Sequence, residues 1–197
     1  MGRRLVVYEG IGAWRADVAD VQLGAGSLAA TGTQIGVEPL PYRLDWELTT
    51  GSGFVTRRIA VLATGAGWWR RLELERDDVG RWSAGTAGRG DTTLQDPGGD
   101  TAGLGAALDC DLGRCPVTNT MPVLRHALHQ RQGGVDFTMA WISVPDLRVV
   151  PAAQRYEHLA PGRVRYTGSH RGFTGELELD DEGIVTLYPE LARRVAG

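Results

Sequence analysis

Asp109 and Asp111, one residue apart in Leu108-Asp109-Cys110-Asp111-Leu112, are the side chains most open to chemistry. On a strand, residues i and i+2 share a face, so both carboxylates point the same way. Placed so, they can share a proton as general acid and base, or hold a cation. They can equally hydrogen-bond turn amides or pair with an arginine such as Arg125. Asp109-x-Asp111-x-Gly113 begins like a calcium loop, but the closing glutamate is missing: Thr120 stands in its place.

Cys110 and Cys115 precede His126 and His129, and Cys and His are the ligands zinc prefers. The spacing C-x4-C then H-x2-H lies outside the tight zinc knuckles, and on a strand His126 and His129 face opposite ways. The expectation is no metal and two small buried thiols. Gly24-Ala25-Gly26-Ser27-Leu28-Ala29 matches a loose dinucleotide fingerprint, but Ala30-Thr31-Gly32-Thr33-Gln34-Ile35 continues as strand where that motif needs a helix. A hairpin turn is the better reading. Arg89-Gly90-Asp91 is a chance tripeptide. Asn119 is the chain's sole asparagine, and an Asx-turn cap on nearby backbone suits it.

These residues must be positioned by strands. Val55, Ile59 and Val61 share a face, as do Trp68, Leu72 and Leu74; Val135, Phe137, Met139 and Trp141; and Phe173, Leu177 and Leu179. Alternation of this kind marks half-buried antiparallel strands. Further strands are predicted at 19–24, 27–36, 41–49, 80–84, 122–129, 147–150, 153–158, 162–168 and 184–188. Turn signals such as Gly65-Ala66-Gly67 and Pro161-Gly162 separate them, a spacing that suits a sandwich or barrel. Only 189–194 reads as helix, with Pro189 first and arginines last. Residues 85–105 read as a long Gly-rich surface loop.

Composition bounds the rest. The 197 residues suit one β domain spanning 1–197. All 21 basic residues are arginine, which reads as codon bias, and 28 glycines suit many turns. A net charge of −3 argues against a nucleic-acid partner. No apolar run approaches a membrane span, and Leu5-Val6-Val7-Tyr8 is too short for a signal-peptide core. A cytoplasmic protein without cofactor is expected.

Pro116-Val117-Thr118-Asn119-Thr120-Met121-Pro122-Val123, following the two aspartates, resembles the signature of a bacterial glycolipid-binding family. That signature runs Leu-Asp-x-Asp-Leu, then Thr-Pro-x-Thr-Asn-Thr-Leu-Pro-Ile-Arg-Arg. Trp46, Thr56-Arg57, Gly80-Arg81-Trp82, Val144-Pro145, Gln154-Arg155-Tyr156, Arg165-Tyr166, Phe173, Leu179-Asp180 and Tyr188-Pro189 follow the family order too, so the likeness covers nearly the whole chain. Cys110 and Cys115 depart from it, standing for an aliphatic and a small residue. Leu124 and His126 flank a single Arg125 where the family tends to two arginines. The resemblance implies a mainly β fold with little helix, a long antiparallel meander curled into an open or partly closed barrel like bacterial lipoprotein carriers. It also implies a glycolipid or other amphiphile as ligand.

Three functions remain in view. In the first, an apolar curved sheet holds a lipid or glycolipid, with Asp109, Asp111, Asn119, Arg125, Trp141, Tyr156 and Tyr166 as ligand-binding candidates. Six tryptophans suit sugars and acyl chains, though most would fill an ordinary core. Arg125, Arg155 and Arg165 would suit an anionic head group. The second is an enzyme using Asp109 and Asp111. The third is a protein that binds partners through sheet edges, a homodimer being the simplest version.

Overall fold

A computed structural model describes residues 2–90, 92–169 and 172–197, so Asp91 of the Arg-Gly-Asp tripeptide lies outside the described residues. The first half of the chain is a plain meander. Strands β1 (Arg3–Gly10), β2 (Arg15–Leu23), β3 (Leu28–Gly36), β4 (Tyr42–Thr50), β5 (Thr56–Gly65), β6 (Trp68–Arg76) and β7 (Trp82–Arg89) each pair antiparallel with the next. A crossing segment, 90–108, then leads to β8 (Asp109–Leu112) and the short helix α1 (Thr120–Arg125). The second meander follows: β9 (Gly134–Ile142), β10 (Val149–Ala160), β11 (Arg163–Gly168), β12 (Phe173–Leu179), β13 (Val185–Tyr188) and β14 (Ala192–Ala196).

The two meanders are joined where β14 pairs with β1, giving a 14-stranded sheet in the order β7 to β1, then β14 to β8. Among the described strands β8 alone runs parallel to its neighbour, β9, because a crossover and not a hairpin connects them. The mainly β, meandering architecture expected from the alternation is present, and the sheet remains open instead of closing as a barrel. Among the described residues no helix is long and apolar enough to cross a membrane.

The alternating residues place Val6, Tyr8, Leu44, Trp46, Leu48, Ile59, Leu72 and Leu74 on one inner face. Leu104, Ala107, Cys110, Leu112, Cys115, Val117 and Met121 pack into the same cluster, so the segment after β7 fills the curl of the first meander. Trp46 lies flat across Gly32, where a Cβ would stand 2.6 Å from its ring, and Trp68 covers Gly65 in the same way. Thus Trp46, Trp68 and Trp82 are core residues. A second cluster, Val123, Leu128, Tyr156, Val164, Tyr166, Leu177, Leu179 and Val185, belongs to the second meander.

Three local expectations are corrected. Residues 122–129, expected as strand, are the end of α1 and the turns after it. Both flanks of β9 are already occupied by β8 and β10, and Pro122 sits in the first helical turn, where no N–H is required. Residues 189–194, expected as helix, are a turn and the start of β14: Leu191 N–H bonds the Tyr188 carbonyl at 3.0 Å and Glu190 is left-handed at φ 63°. Six residues of helical character are too few to outweigh the ladder that β14 forms with β1 and β13. The loop expected at 85–105 begins later, since β7 runs to Arg89, and it buries Leu104 in a 3-10 turn at Ala102–Leu104.

Candidate functional site

Asp109 and Asp111 sit together on β8 and are both buried, but they have separate partners. Arg125, at the end of α1, donates from Nη1 to Asp109 Oδ2 at 2.8 Å and from Nη2 to Oδ1. Its remaining donors hold the Gly53 and Phe54 carbonyls at 2.8 and 3.1 Å. Burial raises the Asp109 carboxyl above the usual range, and the fork of Arg125 opposes that shift. This is a structural ion pair tying β8, α1 and the 3-10 turn Ser52–Phe54 together. With both its oxygens bound to Arg125, Asp109 is not free to share a proton with Asp111, so the enzyme reading loses the pair it was built on.

Asp111 has neutral partners. Gln154 on β10 donates to its Oδ2 at 2.6 Å, and the Thr118 hydroxyl lies 3.0 Å from Oδ1. The same hydroxyl is 2.9 Å from the Cys115 carbonyl, and one hydroxyl proton serves only one acceptor. Burial pushes the Asp111 carboxyl up, Gln154 and Thr118 pull against it, and the charge of Asp109 adds to the rise. A proton on Asp111 satisfies every group: the carboxyl donates to Thr118, and Thr118 to the carbonyl.

The row continues inward. The Tyr156 hydroxyl donates to Gln154 Oε1 at 3.1 Å and accepts from Asn119 Nδ2 at 2.7 Å. Burial raises the Tyr156 hydroxyl well above its ordinary range, so it remains a donor. Asn119 therefore reaches across to β10; the Asx-turn cap expected of it is replaced, and it makes no side-chain cap on α1. The row Asn119–Tyr156–Gln154–Asp111–Thr118 links side chains of β8, β10 and the 3-10 turn Pro116–Asn119. Buried polar groups so fully paired make a rigid, specific floor.

A crevice of about 230 Å³ opens beside this floor, lined by Trp141, Gln154, Tyr166, Gly168, Phe173 and Tyr188, with the turn Pro189–Leu191 along it. A smaller recess of about 40 Å³ shares Trp141, Tyr166 and Tyr188 and reaches Asp111 and Asn119. The aromatic rings form a continuous set: Tyr166 packs edge-on against Tyr156 and Tyr188 at centroid distances of 5.2 and 5.5 Å, and Phe173 lies 5.7 Å from Tyr188. Gly168 is required here, since a Cβ at that position would stand 2.4 Å from the Tyr166 hydroxyl.

Of the residues singled out from sequence, Asp111, Asn119, Trp141, Tyr156 and Tyr166 converge at this crevice or its floor, while Asp109 and Arg125 pair outside it. Arg155 and Arg165 are elsewhere too, half-exposed and paired with Asp136 at 2.7 Å and Glu157 at 3.4 Å. Gln154, Thr118, Phe173, Gly168 and Tyr188 were not foreseen as site residues. Alternation through 153–158 puts Gln154 on the same face as Tyr156, a signal that was available. Cys110, Cys115, His126 and His129 do not gather: the Thr56 hydroxyl lies 3.6 Å from Cys110 Sγ, and His126 packs at a tilt against Phe137 with ring centroids 5.4 Å apart. Burial raises both thiols.

A second, wider hollow of about 1210 Å³ lies on the outer face of β1–β6. Leu5, Val18, Leu62 and Trp69 give it an apolar floor, and Asp20, Asp45, Glu47 and Arg71 border it.

A family model described as "Putative glycolipid-binding" matches residues 6–194. Among solved structures, the crystal structure of a DUF1089 family protein from Pseudomonas aeruginosa is similar over 91% of this chain and 92% of that chain, with 23% identity and a TM-score of 0.69. That likeness is one of fold. No curated protein matches the chain.

Proposed function

The chain belongs to the glycolipid-binding family, and we propose that it is a binding protein whose aromatic crevice seats the uncharged, hydroxyl-rich head of an amphiphile. The observation that carries this reading is the meeting of Trp141, Tyr166, Phe173 and Tyr188 with a floor of neutral hydrogen-bonding groups. Aromatic faces pack on the C–H faces of a sugar ring, and amide and phenol groups match its hydroxyls in both donor and acceptor roles.

Charge and size narrow the ligand. Arg125, Arg155 and Arg165, which would meet an anion, are paired with carboxylates elsewhere, and Arg114, at the recess, donates to the Glu38 carbonyl at 2.8 Å. Of the ionisable side chains beside the floor, the acid Glu190 lines the crevice and the cation Arg114 lines the recess, while Asp111 belongs to the neutral floor. Among the described residues the crevice itself is lined by no cation and by one acid, Glu190, which disfavours an anionic head there. A space of about 230 Å³ is below the roughly 300–1,000 Å³ of drug-sized pockets, so it takes one ring-sized group and leaves the acyl chain outside. Phe173, Pro189 and Leu191 are the apolar surface on which the first carbons of that chain would rest.

Calorimetric titration with octyl glucoside below its micelle threshold, and with octyl sulfate as a tail-matched anion, tests the reading. The glucoside should bind, the sulfate should not, and Gln154→Ala or Gly168→Ala should weaken the glucoside about tenfold or more. Equal binding of the two probes, or variants that bind the glucoside like the parent chain, would overturn it.

A further inference from the structure

The 14-stranded sheet ends on two very different edges. At one end β8 is four residues long and fully buried. At the other, β7 runs for eight residues, Trp82–Arg89, and every residue after Trp82 is exposed. Sheet edges are usually blunted by charge, proline or a bulge. Residues 82–88 contain no charge and no proline, and the β6–β7 register runs without a shift.

The hairpin geometry says which backbone groups are free. Asp77 N–H donates to the Arg81 carbonyl at 2.9 Å, making 77 and 81 a hydrogen-bonded pair. By antiparallel alternation, Ser83, Gly85 and Ala87 bond to β6, while the N–H and C=O groups of Ala84, Thr86 and Gly88 point away from the sheet. Among the described residues, no backbone group from outside the sheet bonds to 83–88.

We propose that β7 pairs antiparallel with β7 of a second copy of this chain, the two-fold axis passing through Thr86, so that two sheets become one. A two-fold axis perpendicular to a sheet keeps like faces together, so opposed residues must have an even sum. The two central choices are Gly85 opposite itself and Thr86 opposite itself. The first sets Arg81 against Arg89 of the second copy, two like charges. The second sets Ser83 against Arg89, with Thr86 facing Thr86, a favourable cross-strand pair.

Charge supports the second register. On the outer face of this end, Arg71 and Arg89 lie toward one end of the strands and Glu73 and Glu75 toward the other. The two-fold axis therefore brings the basic end of one copy to the acidic end of the other. Among the described residues Arg89 makes no ion pair, and Glu75, 55% exposed, has only Arg58 at 3.8 Å. Glu75 lies directly behind Ser83, about 10 Å from the second copy's backbone by two strand spacings. Only a serine side chain stands between, so the long arms of arginine and glutamate can meet over it.

Sedimentation of the full chain over a dilution series tests the proposal. The parent chain should dimerise reversibly. Thr86→Pro, which removes the central outward N–H at a position where an edge strand tolerates proline, should weaken association about tenfold or more. Ser83→Arg, placed on the exposed face to oppose Arg89 of the second copy, should do the same while the melting transition is retained. A parent chain that remains monomeric throughout, a dimer indifferent to Thr86→Pro, or one indifferent to Ser83→Arg overturns it.

Discussion

The two faces of one sheet treat their acids in opposite ways. On the outer face, the side-chain hydrogen bond from Arg3 holds Asp20 below the ordinary carboxylate range, and Arg58 does the same for Glu73. On the inner face burial raises Asp109, Asp111 and Asp17, the last to about 6. The hollows follow the same division. The outer one is wide, apolar and open, with its charged rim already neutralised by neighbours on the sheet. The inner one is small and has a floor of polar groups whose positions are held by mutual hydrogen bonds. Size alone would select the outer hollow. Specific recognition needs fixed donors and acceptors away from competing water, and the inner crevice has them.

Arg125 offers the severest trial of this contrast. Arg125→Ala leaves Asp109, fully buried, without its cation, and a loss of about 3–5 kcal/mol in urea unfolding is expected. Arg3→Ala, on the outer face, should leave the midpoint unmoved, because its pair with Asp20 is exposed to water. Equal losses would erase the distinction between the faces.

Asp17 gives the next effect. Its Oδ2 is 3.1 Å from Arg15 Nε, but its Oδ1 is buried with no hydrogen-bond partner. The folded carboxyl titrates at about 6 against an ordinary 3.8. A raised acid stabilises the fold below its unfolded value, and that contribution is lost as pH rises through the folded one. Stability should therefore fall between about pH 4 and about pH 6, by up to about 3 kcal/mol from this group. Denaturation midpoints across that window should show a flatter profile in Asp17→Asn, and an unchanged slope would assign the pH dependence to other groups.

The smallest effect belongs to the outer hollow. Leu62 is 39% exposed, and Leu62→Gln should shift stability by no more than about 0.5 kcal/mol while leaving octyl glucoside binding intact. Loss of glucoside binding in that variant would move the site to the other face.

Much of this was legible along the chain. The alternation at 68–75 and 173–179 identified strands and their inward faces, because half-buried strands carry a period of two. Of the residues singled out in the Asp-x-Asp and Pro-Val-Thr-Asn segments, Asp111 and Asn119 lie in the crevice floor and Asp109 does not. The helix at α1 and the strand β14 were misread, because six-residue stretches take the structure that free neighbours allow, not the one their own propensity favours. Arg125 was read from sequence both as a ligand contact and as a partner for the aspartates, and the structure pairs it with Asp109, since arginine's fork suits a protein carboxylate as well as a ligand's.

By itself the sequence determined a β meander, its turns and its family, because those depend on near-neighbour patterns that survive in one dimension. Only the tertiary structure decided that Asp109 and Asp111 part company, one taking Arg125 and the other Gln154 and Thr118. The reason is reach. Partners 16 and 43 residues away in sequence come within hydrogen-bonding distance only when β8 is laid beside β9, inside the curl.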